Sequence, residues 1–268
     1  MLIRFRHLAA LFTCLTIMSG CSSSDPEPQT LLILEQPTVA DLPSAPLAKQ
    51  LTLVTNLNAD IRAELASDLN ESFTINFDTE TIFNTENRVE HDLTLLGLRP
   101  GRTYTLTVTA ETLDGLTASA SVPLTFATEA LPADFPVITT NLMNAELMEP
   151  TYTLMDTRKK DGSAAYVVVL DGESEVTWYY RPLGTSSTAP LFNGNLLITD
   201  ETIGQIKEIN WRGETVENEI LLGFLPRAFY SARTNDPVED SLPVDAAFFH
   251  DDATRDSITL TYFATATN

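Results

Sequence analysis

The chain has 268 residues, a formal net charge of −21, 2 cysteines and 43% hydrophobic residues. Such an acidic balance argues against nucleic acid as a partner and against binding to anionic membrane surfaces, since both repel it. The apolar fraction supplies the core of one or two domains, and no run beyond the first twenty residues is long and apolar enough to span a bilayer as a helix.

Arg4, Arg6 and His7 open a basic N-terminus, followed by an apolar stretch from Leu8 to Met18. That stretch is too short for a spanning helix and reads as a signal peptide over residues 1–20. It ends in Met18-Ser19-Gly20-Cys21, which resembles the lipobox of bacterial lipoproteins, with Met18 where leucine is usual. The resemblance implies cleavage before Cys21, lipidation of its sulfur, and a membrane partner reached through that lipid. Ser22 in the next position implies sorting to the outer membrane, facing the periplasm or the surface. Ser22 to Pro28 is polar and broken by prolines, so residues 21–30 read as a tether. Cys14 leaves with the leader and Cys21 is acylated, so the mature chain forms no internal disulfide.

Residues 31–130 carry short strands with turn punctuation. Leu51-Thr-Leu-Val-Thr, Phe73-Thr-Ile-Asn-Phe and Tyr104-Thr-Leu-Thr-Val-Thr-Ala alternate as half-buried strands do. Asp114-Gly115 signals a tight turn, and Ala118 to Phe126 reads as one closing strand. Leu98-Arg-Pro-Gly-Arg-Thr-Tyr104 resembles the tyrosine corner of fibronectin type III and other immunoglobulin-like sandwiches. The resemblance implies a buried ring whose hydroxyl bonds back to the main chain. Helical spacing is confined to Ala59–Leu69, through Ile61, Leu65 and Leu69, a segment that reads equally as a long loop. An all-β sandwich serving as a spacer or docking module is the expectation.

Leu131-Pro-Ala-Asp-Phe-Pro136 is a proline-bounded linker, and residues 131–268 have a different texture. Tyr166 to Trp178 reads as strand, turn, strand; Leu191 to Thr199 turns at Asn193-Gly194; Gln205 to Val216 repeats the first pattern. Aligning Val168-Val-Leu-Asp with Lys207-Glu-Ile-Asn gives a period of about 39 residues, within the range of a propeller blade of four strands. Trp178 and Trp211 then read as packing residues between blades.

Asp171-Gly-x-x-x-Val-x-Trp178, Asn193-Gly-Asn-Leu-Leu-Ile198 and Ile206-x-Glu-Ile-Asn-x-x-Gly-x-x-Val216 together resemble bacterial aryl-sulfate sulfotransferases. The order of leader, β-sandwich and propeller is similar too, and Pro243 to Asp252 looks like that family's histidine–aspartate segment. Phe249-His250 stands where two histidines are frequent, and Ala253-Thr-Arg-Asp256 replaces an asparagine–glycine turn. The resemblance implies sulfuryl transfer between phenols through a sulfohistidine, with cationic groups holding the sulfuryl oxygens. It assigns His250 to binding or positioning those oxygens, and an aryl sulfate or phenol as the ligand. Of the 3 histidines, His7 belongs to the leader and His91 to the sandwich, so His250 stands alone.

Other constellations point less far. Asp251, Asp252 and Asp256 lack the glycine and terminal glutamate of a calcium loop and read as a solvated acidic turn. Arg227 and Arg233 flank Phe229-Tyr230 and read as loop cations among carboxylates, with an anionic aryl ligand as the sharper alternative. No phosphate loop, nucleophile elbow, zinc spacing or cysteine pair is present, so neither a cofactor nor a metal is expected. A closed ring of four blades needs roughly 160 residues, against roughly 138 here, which is about three blades. The expectation is an incomplete propeller, inactive by itself, either truncated or completed by a partner chain. A non-catalytic envelope scaffold and a quinone-dependent propeller dehydrogenase are the alternatives, the latter disfavoured because its repeated tryptophan-docking signature is missing.

Overall fold

The computed structural model describes residues 29–78, 87–140, 152–159, 162, 164–184, 186–200, 205–223, 241–244, 248–255 and 262–267, with side chains through residue 198 (Ser186 apart) and again over 207–216. The chain divides between Thr30 and Leu31, and Leu31–Asn268 forms one unit. The fold is all-β, built from several mostly antiparallel sheets.

Strands β1 (Ile33–Asp41), β2 (Lys49–Thr55) and β5 (Val89–Leu95) form one antiparallel sheet in the order β1-β2-β5. Strands β3 (Asp60–Ser67), β4 (Ser72–Phe77), β6 (Thr103–Glu111), β7 (Thr117–Ser119) and β8 (Leu124–Ala127) form the second, in the order β4-β3-β6-β7, with β8 also on β6. Leu51, Leu53 and Leu95 from the first sheet share one core with Ile61, Leu65, Tyr104, Leu106 and Val108 from the second. Tyr104 is 1% exposed; its ring stacks on Phe126 at 5.7 Å, and its hydroxyl accepts the Arg99 N–H at 2.8 Å. The corner expected from Leu98–Tyr104 is therefore formed.

Two local readings are corrected. Ala59–Leu69 contains no helix: Asp60–Ser67 is β3, with Ile61, Ala63 and Leu65 buried and their neighbours exposed. Spacing of four satisfies a period of 2 as well as a period of 3.6, and Ala63, too small to attract notice, decides for the strand. The closing strand over Ala118–Phe126 is split into β7 and β8, both on β6. Pro123 falls in the break, where its missing N–H would have interrupted a continuous ladder.

Beyond residue 150, β9 (Thr153–Arg158), β10 (Ala165–Leu170) and β11 (Val176–Tyr180) form a three-stranded sheet with β10 central. Tyr166 to Leu170 is buried on both faces, which explains the unbroken run Tyr-Val-Val-Val-Leu. Strands β12 (Ser186–Pro190), β13 (Leu196–Asp200), β14 (Gln205–Ile209) and β15 (Thr215–Gly223) form an antiparallel meander, and β16 (Ser241–Val244) adds to β15 in parallel. Strands β17 (Phe248–Arg255) and β18 (Tyr262–Thr267) pair with each other, and β17 runs against β12 and β13.

The segment around Leu131–Pro136 is no free hinge. Leu131, Phe135 and Ile138 pack on a core of Tyr166, Val168 and Tyr179, and the Phe135 ring lies 4.7 Å from that of Tyr166. Tyr166 donates its hydroxyl to Asp134 at 2.8 Å, which together with burial pushes the phenol up to about 12.

A candidate binding site at the junction of the two strand sets

Three hairpins between β10 and β15 turn in the same way. In Asp171–Glu175, Leu191–Asn195 and Asn210–Glu214 the first residue's N–H donates to the fifth residue's carbonyl, and the fourth N–H returns to the first carbonyl. This is a type I turn closed by a residue of left-handed conformation, a frequent three-residue hairpin loop. Gly194 (φ 86°) and Gly213 (φ 74°) fill that fourth position; in the first turn Ser174 (φ 66°) does so, and Gly172 does not. The repeat read from Asp171 and Asn210 is thus a repeat of one turn, with both side-chain oxygens accepting the third and fifth N–H groups. Asn193 and Asn195 instead turn their amide groups onto the Glu208 carboxylate, at 2.8 and 2.6 Å, which satisfies an acid that is 0% exposed.

Two of these turns dock on the β1–β8 half. The Arg212 guanidinium donates to both Asp92 carboxylate oxygens, at 3.0 and 2.7 Å, and to Thr94 Oγ1 at 2.8 Å. That pairing holds the Asp92 carboxyl below the ordinary aspartate range. Gly213 sits against Ser44, where a Cβ would stand 2.7 Å from the serine carbonyl oxygen. On the other side Arg99, from the tyrosine corner, reaches Asp171, Glu173 and Glu71. Burial opposes its charge, yet these three carboxylates keep it above the ordinary arginine range. Leu42, Ala45 and Ala48 from the β1–β2 loop complete the junction, sharing a core with Val167, Trp178, Leu196 and Ile209.

Between the two arginine clasps runs Leu96-Gly97, and beside it lies a cavity of about 360 Å³. It is lined by Ile75, Leu96, Gly97, Tyr152, Val169, Thr177, Trp178 and Trp211. The tryptophan rings meet edge to face at 5.2 Å. Trp178 Nε1 donates to the Trp211 carbonyl at 2.9 Å, and Trp211 Nε1 to the Gly194 carbonyl at 2.7 Å, so both rings are fixed. They bridge the three-stranded sheet and the meander, and they also wall the cavity. Gly97 (φ 84°) lies under the Tyr152 hydroxyl, only 3.3 Å from where a Cβ would stand.

The residues singled out from sequence do not gather here. His250 lies on β17 opposite Thr265 of β18, and the ladder is irregular between His250 and Thr254, the stretch that holds Asp251 and Asp252. His91 is buried on β5, 4% exposed, and 2.9 Å from Thr55 Oγ1. Thr55 spends its only proton on the Leu57 carbonyl, so His91 Nε2 is the donor, and burial lowers its pKa. Cys21, Arg227, Phe229, Tyr230, Arg233 and Asp256 lie outside the described residues. Sequence reasoning missed Leu96, Gly97 and Tyr152; a glycine directly before the Leu98–Tyr104 corner was the one available signal. Compared with protein-family models and with curated proteins, the chain matches none.

Proposed function

We propose that this chain is a lipoprotein of the bacterial cell envelope, similar to aryl-sulfate sulfotransferases, in which an immunoglobulin-like sandwich carries the leading blades of a propeller. The observation behind this reading is that Asp171–Glu175, Leu191–Asn195 and Asn210–Glu214 close three successive hairpins; the turn itself is general, since Ser67–Glu71 and Thr112–Leu116 share it. These turns are the segments in which the resemblance was found, and Trp178 ties the first to the third. Support of a second kind comes from β17, where His250 directly precedes an irregular stretch of the ladder. Such bulges often mark functional positions.

His91 is committed to Thr55 and His7 belongs to the proposed leader, so His250 is the imidazole left for a sulfuryl group. One imidazole holds a sulfate oxygen but does not make the full set of nucleophile and cations that transfer requires. The residues present therefore bind an aryl sulfate without turning it over. Calorimetry with 4-nitrophenyl sulfate should give saturable binding, weakened about tenfold or more by His250→Ala, with no nitrophenol released in the presence of phenol. Absence of any binding would sink this reading and favour a non-catalytic scaffold. Rapid release abolished by His250→Ala would instead make His250 the nucleophile. For the anchor, a fatty-acid analogue should label the wild type and not Cys21→Ser; equal labelling of both would remove the lipoprotein assignment.

A further inference from the structure

The geometry points to a binding site for a small, uncharged, planar aromatic molecule in the cavity between Leu96-Gly97 and the two tryptophans. Its volume of about 360 Å³ falls in the range of small-molecule pockets, which are walled by apolar and aromatic groups with few polar ones. Here the walls are the flat rings of Trp178 and Trp211 and the aliphatic Leu96 and Val169.

The chemistry of those walls selects the ligand. Both indole N–H groups are already spent on carbonyls, and the Thr177 hydroxyl donates to the Val169 carbonyl at 3.3 Å. The two guanidinium groups nearest in sequence, Arg99 and Arg212, are turned onto carboxylates. No cation among the lining residues offsets a charged guest, and burying an unpaired charge costs far more than these contacts return. An anion is further opposed by the chain's net charge of −21. Tyr152, at the rim and 63% exposed, offers one hydroxyl to a polar substituent. The fixed tryptophan rings make the site preorganised, so a planar guest loses little to reorganisation.

The site is separate from the sulfotransferase-like reading, whose ligand is an anion and whose residue is His250. The chain has 2 tryptophans and both line the cavity, so its intrinsic fluorescence is a direct reporter. Titration of the full chain with 2-naphthol should quench that emission saturably, and 2-naphthalenesulfonate should bind at least tenfold more weakly. Tyr152→Phe should weaken 2-naphthol about threefold, as loss of one neutral hydrogen bond does, and Ile75→Phe, which places a larger side chain in the lining, about tenfold. Each variant is checked by its unfolding midpoint; if Ile75→Phe does not fold, the exposed Tyr152→Phe decides. Quenching that stays linear with both probes, or affinities unchanged in the folded variants, would overturn the assignment.

Discussion

At the level of single residues, the three related turns form an internal control. Gly194 and Gly213 take the left-handed position at no steric cost, whereas Ser174 takes it with a side chain present. The sequence offers a glycine two residues earlier, and Asp171-Gly172 reads as the turn signal, yet it is the fourth residue that needs the freedom. Ser174→Gly should therefore stabilise the chain by about 0.5–1 kcal/mol, against a partly offsetting gain of freedom in the unfolded chain. A urea midpoint that falls on this substitution would show that the Ser174 side chain has a stabilising role greater than its strain. Gly213 carries a double constraint, since any side chain meets both the positive φ and the Ser44 main chain.

Among the elements, β5 shows how one strand serves both halves. Its inward residues Val89, His91 and Leu95 are buried, while Asp92 and Thr94 point outward to Arg212. His91 is a buried imidazole with a lowered pKa, so the unfolded chain takes up a proton that the folded chain refuses. Above pH 6.5 neither state is protonated at this site and stability is unaffected. As pH falls below the unfolded value of about 6.5, stability is lost progressively down to the folded pKa, by at most about 1.4 kcal/mol per pH unit. Asp92 acts in a separate, lower window: its depressed pKa contributes stability above the ordinary aspartate value, lost only as pH falls through the folded one. Unfolding midpoints between pH 7 and 5 should thus slope downward for the wild type and lie flatter for His91→Gln. Equal slopes would mean that the imidazole is solvated in the folded state.

For the whole molecule, the question is how far residues 31–130 stand alone. Their own core is complete across two sheets, and the Tyr104 ring alone is worth roughly 3–5 kcal/mol against alanine. Yet Leu42, Ala45, Leu47 and Ala48 are buried largely against residues beyond 160, and the Arg99 and Arg212 clasps cross the same junction. A fragment of residues 31–130 should unfold cooperatively but at a lower midpoint than the same strands in the full chain, and should bind a dye specific for exposed apolar surface. A fragment without any cooperative transition would show that the junction is part of its core; a fragment as stable as the full chain would show that the junction adds nothing.

The all-β character, the tyrosine corner and the recurring turns were legible in the amino-acid order, because alternation, turn glycines and a corner motif act over a few residues. Leu51–Thr55 and Thr103–Glu111 alternate because each buries one face, and the pattern can be read without knowing what lies opposite. Tertiary structure decided what short-range signals leave open. Ile61 and Leu65, four residues apart, fit helix and strand alike until β6 and β4 take up the hydrogen bonds of β3 on either side. Leu96, Gly97 and Tyr152 come next to Trp178 and Trp211 where the Arg99 and Arg212 clasps and the core around Leu42, Ala45 and Ala48 join the two strand sets. A cavity whose walls come from segments as far apart as Ile75 and Trp211 has no local signature, since those walls satisfy different local rules and share only a position in space.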